Sequence, residues 1–292
     1  NSVWLEGKTK MEINDQTTSV NGMRIRYLSA GDTGSPVLLL HGGGTDSACL
    51  SWEEVIAPLA GSGHRVFAPD LPGYGESERP DIAYNTVFYI HMVCAFIEKL
   101  ELDQPSLVGL SMGGGRSIGV TLAQPKQVRR LVLVGSYGLQ RKVAMHFVSW
   151  LSVQIPGIME GTWALMRRYK SMTHWAMKNL FHNPEIVPES LAEQVYQEAC
   201  TPHAGRAFTR YQRDEVMWNG LRTVFIDRLG EIQQPTLIVH GRHDAGVPLA
   251  CAEEAQRRIT NAELHVIDDA GHWVQREKPA EFLQVLLRFL KD

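Results

Sequence analysis

Short apolar runs alternate with amphipathic stretches along most of this 292-residue chain. Near-continuous apolar strands are what a parallel sheet requires when both of its faces are covered. Between the runs, apolar residues recur at i, i+3, i+4 and i+7, which is the pattern of amphipathic helices. The alternation predicts an α/β fold, with a mostly parallel sheet flanked by helices and right-handed crossovers. The predicted strands are residues 37–40, 65–68, 106–108, 131–134, 236–239 and 264–267, and the predicted helices are residues 86–100, 112–123 and 279–290.

Two stretches depart from this alternation. Asn21-Gly22 lies between strand-like runs and predicts an early β-hairpin. From about Tyr137 to about Arg228 the pattern predicts helices only, rich in Met and Trp and interrupted by prolines. We expect this block to be a cap over the carboxyl edge of the sheet, where open α/β folds bind ligands. The predicted domains are a core of residues 1–136 and 229–292 and a helical cap (lid) of residues 137–228.

The charge and hydropathy of the chain argue against two classes of binding partner, nucleic acids and membranes. The formal net charge is −3 with scattered Lys and Arg, so neither nucleic acid nor a membrane surface is an expected partner. No apolar run reaches the roughly 18 residues of a membrane span.

The cysteines are far apart and show no CxxC spacing, which favours free thiols in a reducing cytoplasm over two disulfides. Residues 1–10 lack the apolar core of a signal peptide, although the absence of an initiator Met leaves a processed start open.

A G-x-S-x-G pentapeptide, Gly109-Leu110-Ser111-Met112-Gly113, carries the strongest chemical signal. Alone it is weak, and a serine that caps a helix in a glycine-rich turn is the alternative. Here it joins a predicted strand to a predicted helix, which is the setting of a nucleophile elbow. The turn is sharp and needs small flanking residues, which Gly109 and Gly113 supply. Ser111 is therefore the predicted nucleophile.

A serine nucleophile needs a base, and the base needs a carboxylate that orients it. His272 follows the last predicted strand near the end of the chain, although a surface histidine is the alternative reading. Asp244 follows the strand at 236–239, and the order Ser, Asp, His is the one expected for this arrangement. Asp227 and Asp268 compete with Asp244 for the acid role, but neither follows a core strand so directly.

Two backbone N–H donors are needed for the oxyanion that develops during acyl transfer. Met112 follows the nucleophile directly, and Gly43 lies in the glycine-rich loop after the strand at 37–40. We expect these two amides to form the oxyanion hole, and Gly42, Leu110 and Trp273 to contact the substrate.

No cofactor and no metal ion is expected. The alternative, a metal site of His240, His243 and Asp244, is disfavoured because neighbouring residues at a strand end point to different faces.

The motifs together resemble the α/β-hydrolase superfamily from about residue 18 to the end of the chain. They are the segments at residues 40–44, 70–77, 109–113 and 271–273, in that order. The glycine-rich loop, residues 135–139 and Trp273 also resemble the carbon–carbon bond hydrolases of aromatic meta-cleavage pathways. Haloalkane dehalogenases and epoxide hydrolases share the fold but use an aspartate nucleophile, whereas this elbow holds Ser111.

Two positions separate an ester substrate from a dienoate. The meta-cleavage hydrolases usually carry Asn where this chain has Leu110, and a cap arginine near the place of Val195. The resulting pocket is less polar, which favours a carboxylic ester cleaved through an acyl-enzyme. The alternatives are cleavage of a carbon–carbon bond in a vinylogous diketo acid and a low-turnover ligand sensor.

The substrate is expected to be a small molecule with an apolar acyl or aromatic group. Residues 143–166 are expected to line its pocket rather than to form an interfacial membrane helix. The sequence leaves the oligomeric state open, with a homodimer as one option.

Overall fold

A computed structural model describes residues 11–291 of the chain. The predictions about residues 1–10 lie outside these residues. The strands, in chain order, are β1 (Asn14–Val20), β2 (Met23–Ala30), β3 (Pro36–Leu40), β4 (Arg65–Pro69), β5 (Ser106–Leu110), β6 (Leu131–Val134), β7 (Val216–Met217), β8 (Gly220–Leu221), β9 (Thr236–Gly241) and β10 (Ala262–Ile267). Eight of them form one sheet in the order β1-β2-β4-β3-β5-β6-β9-β10, and β7 pairs with β8 separately.

The main sheet is parallel from β4 to β10 and antiparallel only at β1–β2 and β2–β4. The register aligns Leu40 with Gly109, Leu110 with Val134, and Val134 with Val239. The carboxyl ends of these strands therefore meet at one edge. The predicted α/β class with a mostly parallel sheet is confirmed. The predicted hairpin is present too, because Asn21 turns β1 into β2 with a positive φ of 51°.

Helices cover both faces of the sheet. They are α1 (Ala48–Gly61), α2 (Thr86–Lys99), α3 (Met112–Ala123), α4 (His146–Gln154), α5 (Ile158–Arg168), α6 (Lys170–Lys178), α7 (Glu189–Cys200), α8 (Arg206–Glu215), α9 (Leu249–Arg258), α10 (Val274–Glu277) and α11 (Pro279–Leu290). Residues of α1, α10 and α11 share one core cluster, and residues of α2, α3 and α9 share the other.

Strand β3 shows why the apolar runs are continuous. Val37 and Leu39 pack in the cluster of α1 and α11, whereas Leu38 and Leu40 pack in the cluster of α2 and α3. Side chains of a strand alternate between the two faces, so a strand buried on both sides needs apolar residues at every position. Each such buried side chain contributes roughly 1.5–3 kcal/mol.

The segment between β6 and β9 contains α4 to α8, as predicted, but it is not helical throughout. Strands β7 and β8 form a short hairpin that the sequence analysis missed. Residues 143–166 divide between two environments: Met159 and Trp163 line an internal cavity, whereas Phe147 and Val148 are exposed. Within residues 11–291, none of the helices has the length and apolar character needed to cross a membrane. The cysteines of that part of the chain are all free.

A buried carboxylate, Asp70, joins three separate segments at the end of β4. Its Oδ1 accepts a hydrogen bond from the backbone N–H of Ala48 at 2.8 Å. Its Oδ2 accepts from the N–H of Glu76 at 3.0 Å and from Arg26 Nη1 at 3.2 Å. Burial raises the pKa of Asp70 above its ordinary value even though the charge of Arg26 opposes the shift. The carboxylate therefore organises the turn after β4 at a desolvation cost.

Replacing Asp70 by alanine removes the acceptor of two backbone N–H groups and one of the partners of Arg26. We expect the free energy of unfolding of Asp70→Ala to fall by about 3 kcal/mol. Urea unfolding followed by circular dichroism measures this change. The control is Asp81→Ala, which removes an exposed carboxylate nearby and should change stability little. Equal stability of the two variants would contradict the role assigned to Asp70.

Candidate functional site

Ser111 stands in a strained turn between β5 and α3. Its φ is +51°, a conformation that is uncommon for a residue with a side chain and costs about 1–3 kcal/mol. The turn also brings strand and helix too close for larger flanking residues. A Cβ on Gly109 would lie 2.4 Å from the carbonyl carbon of Gly113, and a Cβ on Gly113 would lie 2.2 Å from the Leu40 oxygen. The N–H of Ser111 donates to the carbonyl of Val134 at 2.8 Å, which anchors the turn to β6.

His272 and Asp244 form a buried hydrogen-bonded pair. His272 Nδ1 lies 2.8 Å from Asp244 Oδ2, and Asp244 Oδ1 accepts from the N–H groups of Gly246 and Val247 at 2.7 and 2.9 Å. Burial alone would raise the pKa of Asp244, but the hydrogen bond and charge of His272 and the Val247 amide outweigh it and lower the pKa. An ionised carboxylate holds the proton on Nδ1, which leaves Nε2 free to accept one.

Ser111 and His272 both line one internal cavity. Its volume is about 390 Å³, and it lies between the carboxyl edge of the sheet and the segment from β6 to β9. From the core it is lined by Gly42, Gly43, Gly44, Thr45, Ser111, Met112, Gly246, Val247, His272 and Trp273. From the intervening segment it is lined by Tyr137, Gln140, Val143, Met159, Thr162, Trp163, Met166, Thr173, Ala176, Met177, Leu180, Val195, Phe208, Tyr211 and Gln212. Neither Arg nor Lys occurs among these lining residues of the described chain.

The glycine-rich loop after β3 lies beside the elbow. The N–H of Gly42 already donates to Asp46 Oδ2 at 2.7 Å, so it has a partner within the protein. Gly43 packs so closely that a Cβ there would lie 2.1 Å from Met112 Sδ and 2.9 Å from a ring carbon of Phe208. Gly43 and Met112 both line the cavity, as the predicted oxyanion hole requires.

Two buried groups that the sequence analysis did not assign hold this loop in place. Asp46 accepts from the N–H of Gly42 and from Ser51 Oγ, and burial raises its pKa to about 6. His41 Nδ1 donates to the carbonyl of Gly42, and Nε2 accepts from the N–H of Leu71. Burial lowers the pKa of His41 to about 3, so its ring is neutral at pH 7. Asp46 follows Gly42 by four residues, a spacing that no motif marks in advance.

One predicted substrate contact is corrected by the structure. Leu110 does not line the cavity: its side chain is fully buried in the core cluster of α1 and α11 together with Val108. The cause is strand alternation, which turns the residue before the nucleophile into the core of the sheet. Gly42 and Trp273, the other two predicted contacts, do line the cavity.

The rival acids lie away from the histidine. Asp268 is exposed and forms an ion pair with Arg242. Asp227 is exposed as well and forms an ion pair with Arg141 at 2.7 Å. Of the three candidates, Asp244 is the one whose carboxylate bonds to the His272 ring.

A further buried carboxylate, Glu277 of α10, ties the loop of His272 to the segment after α6. Glu277 Oε2 accepts from the N–H groups of Gly271 at 2.7 Å and His182 at 3.0 Å, and Oε1 accepts from that of Asn183 at 2.8 Å. Glu277 was not predicted from the sequence, because its partners are backbone groups of loops. A carboxylate five residues after the predicted base is the signal that could have drawn attention to it.

The sequence of this chain is similar to those of known proteins with the same architecture. The model of the alpha/beta hydrolase fold family matches residues 35–279. The 2-hydroxymuconate semialdehyde hydrolase of Pseudomonas sp. (strain CF600) is 31% identical over 281 residues, which are 93% of this chain and 92% of that protein. The 2-hydroxy-6-oxo-2,4-heptadienoate hydrolase of Pseudomonas putida (strain F1) is 30% identical over 260 residues, 88% of this chain and 89% of its own.

The fold is also similar to solved structures of such enzymes. A meta-cleavage product hydrolase from Pseudomonas fluorescens IP01 superposes with a TM-score of 0.79 at 26% identity. The match covers 94% of this chain and 96% of that one, so it includes both the sheet and the segment between β6 and β9.

Replacing Glu277 by glutamine puts an NH₂ group where one carboxylate oxygen accepted, so at least one buried N–H loses its partner. We expect Glu277→Gln to lower stability by about 1–3 kcal/mol and to slow labelling of Ser111 by a fluorophosphonate probe by about 10- to 100-fold, because the His272 loop shifts. Glu281→Gln on α11, whose carboxylate bonds to His265, is the matched control and should change labelling little. Unchanged labelling in a destabilised Glu277→Gln would limit Glu277 to a structural role.

Proposed function

Because the chain belongs to the α/β-hydrolase fold family, we propose that it hydrolyses a carbon–carbon bond in a meta-cleavage product, a vinylogous diketo acid. The observation that carries this proposal is the identity of 30–31%, over nearly the whole chain, with relatives named for such substrates. Coverage of about nine-tenths of both chains means that the resemblance includes the substrate-binding segment as well as the shared core.

A simple ester was the expected substrate because Leu110 and Val195 are apolar where the meta-cleavage hydrolases usually carry polar residues. Since the Leu110 side chain packs inside the sheet core, its polarity carries no information about the substrate. Val195 does line the cavity, and it is the specific observation that keeps an ester as a second candidate.

The proposed mechanism is an acyl transfer in two steps. His272 Nε2 takes the proton of Ser111 as the hydroxyl attacks the carbonyl carbon, and Asp244 stabilises the imidazolium. The amides of Gly43 and Met112 hold the oxyanion, where each such donor is typically worth about 10²–10³ in rate. In the carbon–carbon case the electron pair of the broken bond passes into the vinylogous carbonyl of the leaving fragment, which then takes up a proton. Water activated by His272 hydrolyses the acyl-enzyme.

The cavity lining suits an apolar or aromatic group of the substrate. Met159, Trp163 and Phe208 are among the lining residues, and Arg and Lys, which a second carboxylate would favour, are absent from the lining within residues 11–291. Gln140 and Gln212 supply neutral hydrogen-bonding groups for one polar end. These features favour an alkyl or aryl substituent over a second carboxylate at the end of the substrate that departs with the acyl group.

We infer in addition that residues 137–228 form a cap domain on a core of residues 1–136 and 229–292. The inference rests on the fifteen cavity-lining residues that this segment contributes.

The free cysteines support the predicted cytoplasmic location.

The substrate class is tested by giving the purified enzyme a meta-cleavage dienoate with an aryl substituent and a series of p-nitrophenyl esters side by side. We expect rapid loss of the dienoate absorbance, slower ester turnover, and neither reaction in Ser111→Ala, whose circular dichroism should equal that of the wild type. Fast ester turnover without dienoate cleavage would reverse the order of the two candidates. Ligand binding without turnover of either substrate would point to a sensor.

Asp244→Asn tests the triad independently of the substrate class. An amide in place of the carboxylate donates to Nδ1 instead of accepting from it and so stabilises the wrong tautomer of His272. We expect kcat to fall by roughly 10³–10⁴-fold, while the midpoint of unfolding changes far less. Asp268→Asn, at an exposed carboxylate bonded to Arg242, is the control and should retain kcat. Comparable losses in the two variants would remove Asp244 from the proposed triad.

A further inference from the structure

Three side chains on the outer side of the catalytic loops converge on one point. His182 follows α6, His243 follows β9, and Asp269 follows β10. One ligand atom from each, an imidazole nitrogen or a carboxylate oxygen, lies within 4.8 Å of the other two. The two imidazole rings are stacked, with centroids 3.8 Å apart and planes inclined by 14°. All three side chains are exposed to solvent and accessible to an ion.

The backbone beneath this cluster is held by hydrogen bonds. The N–H of His182 donates to the buried carboxylate of Glu277, and the N–H of His243 donates to the carbonyl of Ala270 at 3.0 Å. Asp269 has a φ of +50°, which turns the chain sharply between β10 and the loop of the catalytic histidine. Three segments distant in sequence are thus fixed side by side, so a ligand would need to reorient side chains only.

The ligand atoms are free to bind. In residues 11–291 the side chains of His182, His243 and Asp269 make no hydrogen bond and no ion pair within 4 Å. The two histidine rings stack on each other, and the hydrogen bond from Arg242, to which the charge of His243 adds, lowers the pKa of the neighbouring Asp268 carboxyl. The nearby cation Arg242 is paired with Asp268 instead. The set differs from the one weighed on sequence grounds, because His240 is buried and bonded to the carbonyl of Val247.

We propose that His182, His243 and Asp269 bind a divalent transition-metal ion of the zinc type. Two imidazole nitrogens and one carboxylate oxygen suit Zn²⁺, whereas Mg²⁺ and Ca²⁺ prefer oxygen ligands throughout. Ligand bonds of about 2.0–2.2 Å require a tighter grouping than the present one, and exposed side chains on a fixed backbone can close that distance. Three protein ligands leave the fourth position to water.

The metal would connect the segment after α6 to the loops of the triad. His243 precedes Asp244 directly, and Asp269 precedes His272 by three residues. A bound ion would therefore join, from outside, the two segments that Glu277 joins from within, and it would add the loop after β9 that carries His243. Because an ion that binds the folded state alone stabilises it, Zn²⁺ raises the midpoint of unfolding.

Isothermal titration of ZnCl₂ into chelator-stripped protein at pH 7.5, prepared without a polyhistidine tag, tests the site. Cys200→Ser serves as the background, because an exposed cysteine can also bind zinc. We expect one ion per chain, a raised midpoint of thermal unfolding, and no binding of Mg²⁺. His182→Ala, His243→Ala and Asp269→Asn should each weaken binding at least about tenfold, the loss typical of even an outer-shell partner.

The matched control is His91→Ala, which removes an exposed histidine on α2 and should leave zinc binding unchanged. Absence of a one-to-one zinc isotherm in the background protein would overturn the proposal. So would equal zinc affinity in the three site variants and the control, since the ion would then bind elsewhere. The readout is binding, so the outcome does not depend on which substrate the enzyme hydrolyses.

Discussion

The parallel pairing of β5 with β3 on one side and β6 on the other determines where the chemistry takes place. It brings the carboxyl ends of three strands to one edge, where the Ser111 amide bonds to the last residue of β6. The elbow can be strained because the neighbouring strands over-determine its position. The glycine-rich loop after β3 and the acid after β9 reach the same edge for the same reason, so the fold assembles the site from loops distant in sequence.

Buried carboxylates fix the positions of those loops by accepting hydrogen bonds from their backbone N–H groups. Asp46, Asp70 and Glu277 each accept hydrogen bonds from at least two backbone N–H groups that a sheet or helix leaves without a partner. Burying a carboxylate is costly, as the raised pKa values of Asp46 and Asp70 indicate. The cost is offset because loops at an active site expose backbone donors that must be satisfied once the cavity excludes water.

Periodicity and short motifs were enough to predict the α/β class and most of the strands and helices of the core. They also pointed to Ser111, His272 and Asp244, because each lies in the turn or loop that follows the carboxyl end of a predicted strand. Side-chain direction was less accessible: Leu110 adjoins the nucleophile in sequence, yet strand alternation turns it into the core. Glu277 was missed because its partners are backbone groups, which no residue pattern reveals. The β7–β8 hairpin was missed because strands of two residues show no periodicity.

Hydrogen bonds between residues 180–183 and the region of His272 limit which parts of the protein can move without disturbing the catalytic base. The carbonyl of Leu180 accepts a hydrogen bond from the N–H of His272 at 2.7 Å. Phe181 packs against Trp273, and the N–H groups of His182 and Asn183 donate to the carboxylate of Glu277. Displacing this stretch would pull the backbone of His272 along with it, because Leu180 and His272 are joined directly. Residues 180–183 are therefore a fixed support of the catalytic base, and movement elsewhere in residues 137–228 can leave the imidazole in place only if this support stays where it is.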